Sequence, residues 1–279
     1  MLTRRRRRTL QAITVVIIMG LFEWLGMGAA SADEVDARAP KLVSADRFFE
    51  PQATALLTAA LAGDEAEVRR LVAAGVNPNS QGPKTTDKNV PQITLLNYVT
   101  AEGSERALAL LIAAGADPLF KPRKGDGNAF LFAIVRHDAK MLDALYRLWP
   151  MSRIPPAVQS QDAFGALGFA CQACLAAMFS HGLPPGVLDA NGANLFMRAL
   201  DGERLELAEW LLVQARVPLT AETSRGVTPT NSVQQDLERY RPGTPTHSKL
   251  LRMKQFMESQ GIVFPVETAA EIRARKGIK

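Results

Sequence analysis

Two stretches of the chain repeat one another in register: TALLTAALAGDEAEVRRLVAAGVNPN from Thr54 and TLLNYVTAEGSERALALLIAAGADPL from Thr94. Each reads as a short helix, a Gly turn (Gly63, Gly103), a second helix with apolar residues at helical spacing, and a Gly stop (Gly75, Gly115). A repeat of this length constrains the fold more than any single motif. One helical hairpin cannot bury its apolar faces alone, so successive copies must stack into a continuous core.

With the first residue of each stretch as an anchor, further copies begin at Asn128, Gln161, Asn194 and Thr228, giving anchor spacings of 40, 34, 33, 33 and 34. Five residues past each anchor stands a small or β-branched apolar residue: Ala59, Val99, Ala133, Ala166, Ala199 and Val233. These mark a close approach of two helices. Seventeen residues past the first five anchors stands a large one, Leu71, Leu111, Leu145, Met178 and Leu211, as a core position requires. Pro recurs at 78, 118, 185 and 218, three residues past the end of the second helix. Its fixed φ and missing N–H force the chain out of the helix there.

These residues resemble the ankyrin repeat family. The family pattern G-x-x-x-E-V-x-x-L-x-x-x-G-A-D is matched by Gly63, Glu67, Val68, Leu71 and Gly75, and by Gly103, Leu111, Gly115, Ala116 and Asp117. The resemblance covers about residues 50–265 and implies an all-α, ankyrin-like helical solenoid of five to six helix-turn-helix repeats with projecting finger loops. The sequence departs from the family at the Thr-Pro-Leu-His opening, which appears as TALL, TLLN, NAFL, QDAF, NLFM and TPTN. Asn97 and Asn231 supply a hydrogen-bonding side chain at the place of its His.

Three segments depart from the period. SQGPKTTDKNVPQ (80–92) lengthens the first finger, and RPGTPTH (241–247) interrupts the last unit. KLVSADRFFEPQ, before the first unit, reads as an element covering its apolar end; the final ETAAEIRARKGIK reads as a short amphipathic helix or a frayed tail. The expected organisation is residues 1–32 a signal peptide, 33–52 an N-terminal cap, 53–265 the repeat array and 266–279 a helical tail.

The signal peptide rests on the opening MLTRRRRRTLQAITVVIIMGLFEWLGMGAASADE, which has a cationic start, an apolar run and Ala30-Ser31-Ala32 before Asp33. Its rival is an uncleaved membrane anchor, but Glu23 interrupts the apolar run, and a carboxylate at the bilayer centre costs about 2.5–3.5 kcal/mol. Either way residues 33–279 are expected outside the cytoplasm, in the periplasm. The chain has 33 Lys and Arg against 28 Asp and Glu, of which residues 1–32 hold five arginines and one acid. The remainder carries 28 bases and 27 acids, so its near-neutral body argues against nucleic-acid binding.

Cys171 and Cys174, in CQAC, are the one eye-catching pair. Cys-x-x-Cys opens the active helix of thioredoxin-like enzymes, where it follows a strand. Here it falls inside a helical repeat, which favours a local disulfide or two small buried thiols over catalysis. No second Cys pair or His cluster completes a metal site, and no Gly-rich phosphate loop is present, so neither a metal nor another cofactor is expected. His137 falls at a turn, His181 at a helix C-terminus and His247 in the polar insertion, all suited to capping or solvent.

Resemblance to ankyrin repeats implies a non-enzymatic module that binds a protein partner through finger tips and inner helices. Carried over position by position, the tips comprise Lys84, Lys88, Arg123, Lys124, Asp126, Gln159, Asn191 and Arg225. An immunity or scaffold protein acting on an envelope partner, as a monomer, is the expected role. The alternatives are a thiol–disulfide oxidoreductase using Cys171 and Cys174, and a membrane-anchored spacer if the N-terminal segment is retained.

Overall fold

The computed structural model describes residues 44–83, 92–123 and 126–278. Residues 1–32, most of the 33–52 cap segment, and Lys84, Lys88 and Lys124 lie outside them. The chain divides into two compact units, residues 1–133 and 134–279.

In the first unit a 3-10 turn, Ala45–Arg47, leads into the hairpin of α1 (Pro51–Ala62) and α2 (Glu65–Ala73). A short antiparallel ladder follows, β1 (Gln81–Gly82) with β2 (Ile93–Thr94), and then the hairpin of α3 (Leu95–Glu102) and α4 (Glu105–Ala113). The hairpins form because each turn is over-determined. Gly63 and Gly103 end α1 and α3 at φ 71° and 74°, which an L side chain resists. The next residue then caps the outer helix: Asp64 accepts from Glu67 N at 3.0 Å and Ser104 from Ala107 N at 3.3 Å. Leu56, Leu57, Leu95, Leu96, Leu108 and Leu111 are fully buried between the helices. Each such side chain contributes about 1.5–3 kcal/mol of burial.

Polar bonds fix the stacking of successive repeats in this unit. Arg106 donates to Gly63 O at 2.7 Å, and the Asn79 side chain takes Asp117 N at 2.7 Å while donating to Gly115 O at 3.3 Å. Asn97, at the place of the family's His, donates to Gly127 O at 3.0 Å. It therefore ties its inner helix to the following finger.

The helix α5 (Ala129–Val135) spans the division between the units. In the second unit the outer helix α6 (Ala139–Leu148) is followed by α7 (Pro156–Gly168) with α8 (Gln172–Ser180), α9 (Leu195–Asp201) with α10 (Leu205–Val213), and α11 (Pro229–Arg239) with α12 (Pro245–Ser259). A single helix, α13 (Ala269–Lys276), closes the order. Among the described residues five helix pairs form hairpins within the units: α1 with α2, α3 with α4, α7 with α8, α9 with α10, and α11 with α12. Ala166, Ala199 and Val233 have no exposure, and neither do Met178 and Leu211, so the expected register holds through every later copy.

Two features differ from expectation. Gln161, the fourth anchor, lies inside α7 instead of at its start, because Pro156 at N1 begins that helix earlier. Thr54 likewise lies inside α1, which begins at Pro51. In contrast, Thr94, Asn128, Asn194 and Thr228 each accept the N–H three residues on, as N-caps do. The last segment is docked and not frayed. Gln234 exchanges two hydrogen bonds with the Val266 backbone, Asn231 donates to Glu267 O at 3.4 Å, and Ile272 is buried. Thr268 and Glu271 form a capping box at the start of α13 like that of Thr228 and Asn231 at the start of α11.

Candidate functional site

The fingers are the projecting elements of the fold, and those of the second unit are built most completely. In the finger between α8 and α9, Asp189 N donates to Ala193 O at 2.9 Å. The Asp189 side chain accepts Asn191 N at 2.8 Å and Ala193 N at 3.0 Å. Its second oxygen meets Arg198 of α9, with Nε at 2.6 Å and Nη2 also in contact, while Arg198 Nη1 reaches Asp201 at 2.8 Å. Burial acts to raise the Asp189 pKa, but Arg198 and the Ala193 and Asn191 N–H groups outweigh it and hold the carboxyl below its ordinary value.

The next finger repeats the design with Thr223 in place of Asp189. Thr223 N donates to Val227 O at 2.9 Å, and its hydroxyl accepts Val227 N at 3.0 Å and Arg225 N at 3.3 Å. Ser224 N then donates to Asn191 O at 3.3 Å, stitching the two fingers together. Arg273 of α13 donates to Arg225 O at 2.9 Å. The backbones of Asn191 and Arg225 are thus held, and both residues are exposed.

In the first unit the Asp126 carboxylate faces inward and does not stand at a tip. It accepts the backbone N–H groups of Arg123 and Gln92, joining the second finger to the strand end of the first. Burial pushes its pKa up against the charge of Arg123 and those two bonds. Gln159 is a further correction. It lies in the first turn of α7, where its amide donates to Met151 O at 3.1 Å and Ile154 O at 2.8 Å. The segment after α6 makes no finger: a 3-10 turn, Met151–Arg153, runs through Ile154 and Pro155 directly into α7. Of the expected tips, Arg123, Asn191 and Arg225 therefore stand on fingers among the described residues, with Arg123 half-buried.

Cys171 and Cys174 are joined as a disulfide, with Cα atoms 5.2 Å apart. Cys171 occupies the N-cap of α8 and its sulfur accepts Cys174 N at 3.2 Å, the role of Asp64, Ser104 and Asp138 in earlier repeats. At 2% and 0% exposure neither sulfur meets an external thiolate without opening of the repeat. His181 caps the C-terminus of α8, reaches Asp143 of α6 at 2.6 Å and packs on the Tyr146 ring. The His181 bond holds the Asp143 carboxyl below its usual range. Among the described residues no group of three or more His, Cys, Asp or Glu is placed to hold a metal ion, and no helix is long and apolar enough to cross a membrane.

Sequence reasoning missed Asp189 and Arg198. The signal was present: Asp189-Ala190-Asn191-Gly192 and Thr223-Ser224-Arg225-Gly226 place a turn-forming side chain three residues before Gly, 34 residues apart.

The stacked helical hairpins and their fingers define a helical repeat solenoid. Comparison with solved structures identifies it as the ankyrin repeat fold. The chain is similar to the ankyrin repeat domain of Bcl-3, with TM-score 0.56 and 19% identity over 80% of this chain and 96% of that one. It is also similar to an ankyrin repeat domain from Acinetobacter baumannii AYE, with TM-score 0.50 and 17% identity over 71% of this chain and 97% of that one. No family model and no curated protein matches the sequence.

Proposed function

We propose that the protein is a non-catalytic module that binds a protein partner in the periplasm, through its fingers and the inner helices behind them. The observation that carries this reading is the pair of stitched fingers at Asn191 and Arg225. Their backbones are locked by Asp189, Arg198, Thr223 and Arg273, while their side chains remain exposed. Ordering a loop costs about 1–2 kcal/mol per residue, so a finger fixed before binding offers its side chains without that penalty. Similarity to the ankyrin repeat fold supports protein recognition by analogy of fold.

The arginine-led, apolar N-terminal sequence ending Ala30-Ser31-Ala32 supports export. Immunity against an incoming toxin, or scaffolding of an envelope enzyme, are the roles that fit an exported binding module. A mature chain whose intact mass starts at Asp33 would agree with cleavage, whereas a retained N-terminus would favour the anchored spacer.

The test of the binding face is cross-linking in periplasmic extract with wild type and with a variant carrying Arg123→Glu, Asn191→Arg and Arg225→Glu. Loss of the recovered partner in the folded variant is the expected result; undiminished recovery refutes the assignment. Insulin reduction by the protein, abolished by Cys174→Ser, would replace this reading with the oxidoreductase one.

A further inference from the structure

The residue one past each anchor reports how a repeat packs on the repeat before it. In the five later copies this residue is buried: Leu95, Ala129, Asp162, Leu195 and Pro229. In the first copy the equivalent residue, Ala55, is exposed, as is Thr58 one turn on. These two residues line an open groove of about 710 Å³ with Phe49, Ala59, Ala62 and the carboxylate-bearing Asp46. The groove runs along α1 to the start of α2 and is left without a helix by the described residues. Small side chains three and four apart on α1 leave room for the ridge of another helix to sit close.

Its electrostatics select the occupant. Asp64 and Glu67 also line the groove. From Ser44 to Arg70 the sequence holds five carboxylates and three bases, Arg47, Arg69 and Arg70, and Arg69 pairs with Glu65. Arg70 pairs with Glu67 at 2.6 Å, so the acidic character of the rim rests chiefly on Asp46 and Asp64. An apolar floor of small residues under a carboxylate rim complements a helix with a narrow Ala/Leu face flanked by lysines or arginines.

We propose that this groove takes a cationic amphipathic helix of a second protein, which docks where the inner helix of a preceding repeat would lie. The site is separate from the fingers and does not depend on their assignment.

The test uses protein purified from the full-length gene and two fluorescein-labelled 16-residue helical peptides of Ala and Leu, one with Lys on its flanks and one with Glu. Fluorescence anisotropy is expected to show the Lys peptide binding at least tenfold more tightly than the Glu peptide, with affinity falling as salt rises. Ala55→Arg and Asp46→Lys should each weaken it at least tenfold, with Thr58→Arg as a second groove variant if either fails to fold. Arg225→Glu should leave it unchanged, which separates this site from the finger surface. Absence of binding, equal binding of both peptides, or indifference to the folded groove variants would overturn the proposal. Self-association by light scattering that Ala55→Arg abolishes would also overturn it, assigning the groove to a second copy.

Discussion

Asp189 Oδ2 lies 2.6 Å from Arg198 Nε, and through this contact a finger loop is bonded to the inner helix behind it. Both side chains are largely buried, at 19% and 24% exposure, so removing one partner strands the other. Arg198→Ala is expected to cost about 2 kcal/mol in urea unfolding, well above an exposed ion pair. Exchange of the Asn191 and Ala193 amides should quicken in the same variant.

The same pair sets a dependence on pH. The folded Asp189 carboxyl titrates below its unfolded value of about 3.9. Its contribution is therefore complete above that value and is lost as pH falls through the lower, folded pKa, because the unfolded chain takes up the proton first. Asp189→Asn should lower stability at neutral pH and reduce the slope of stability against pH below about pH 4. An unchanged slope would show that the carboxylate is not held as described.

Three repeats place a side chain where the first two place glycine. His137, Ala170 and Glu203 have φ of 56°, 56° and 58° at the turn between inner and outer helices. A left-handed L residue costs about 1–2 kcal/mol. Ala170→Gly and Glu203→Gly should therefore stabilise the protein by about 0.5–1 kcal/mol, after the added entropy of glycine in the unfolded chain is subtracted. Thermal unfolding of each single variant checks this.

Gly192 shows the opposite case. Its φ is 82°, and a Cβ there would lie 2.6 Å from Glu222 O of the neighbouring finger. Gly192→Ala should cost more than about 1 kcal/mol and pry the two fingers apart. Faster exchange at Ser224 N, which donates to Asn191 O, is the specific readout.

Cys171 serves as an N-cap as well as half of a disulfide, and the two roles separate by substitution. In a Cys174→Ser background, Cys171→Ser keeps an acceptor for residue 174 N and Cys171→Ala removes it. The serine variant should be more stable by about 1 kcal/mol in chemical unfolding.

The fold was legible because its determinants recur. Gly63, Gly103 and the small residues five past each anchor all report the same packing need, so each copy supported the others. Asn97 was legible too, since its hydrogen bond to Gly127 O fills the place of a known family residue. Gln159 was misplaced because the period alone assigns a finger to each repeat. Pro155 and Pro156 instead carry the chain straight from Ile154 into α7. Asp126 was placed at a tip by position-by-position carry-over from the family, whereas its direction depends on Gln92, 34 positions away in the chain. Asp189 and Arg198, nine residues apart, meet only because a turn folds back onto the first turns of a helix. Individual charges give little warning of such a meeting.

The bond from Ser224 N to Asn191 O couples the two fingertips. A partner cannot remodel one tip to suit itself without dragging on the other. On the proposed binding role, recognition at this edge would work by rejection: a surface of the wrong contour would be refused, and a matching one would dock with little rearrangement of the backbone. Selectivity at Asn191 and Arg225 would owe as much to that stiffness as to the chemistry of the two side chains.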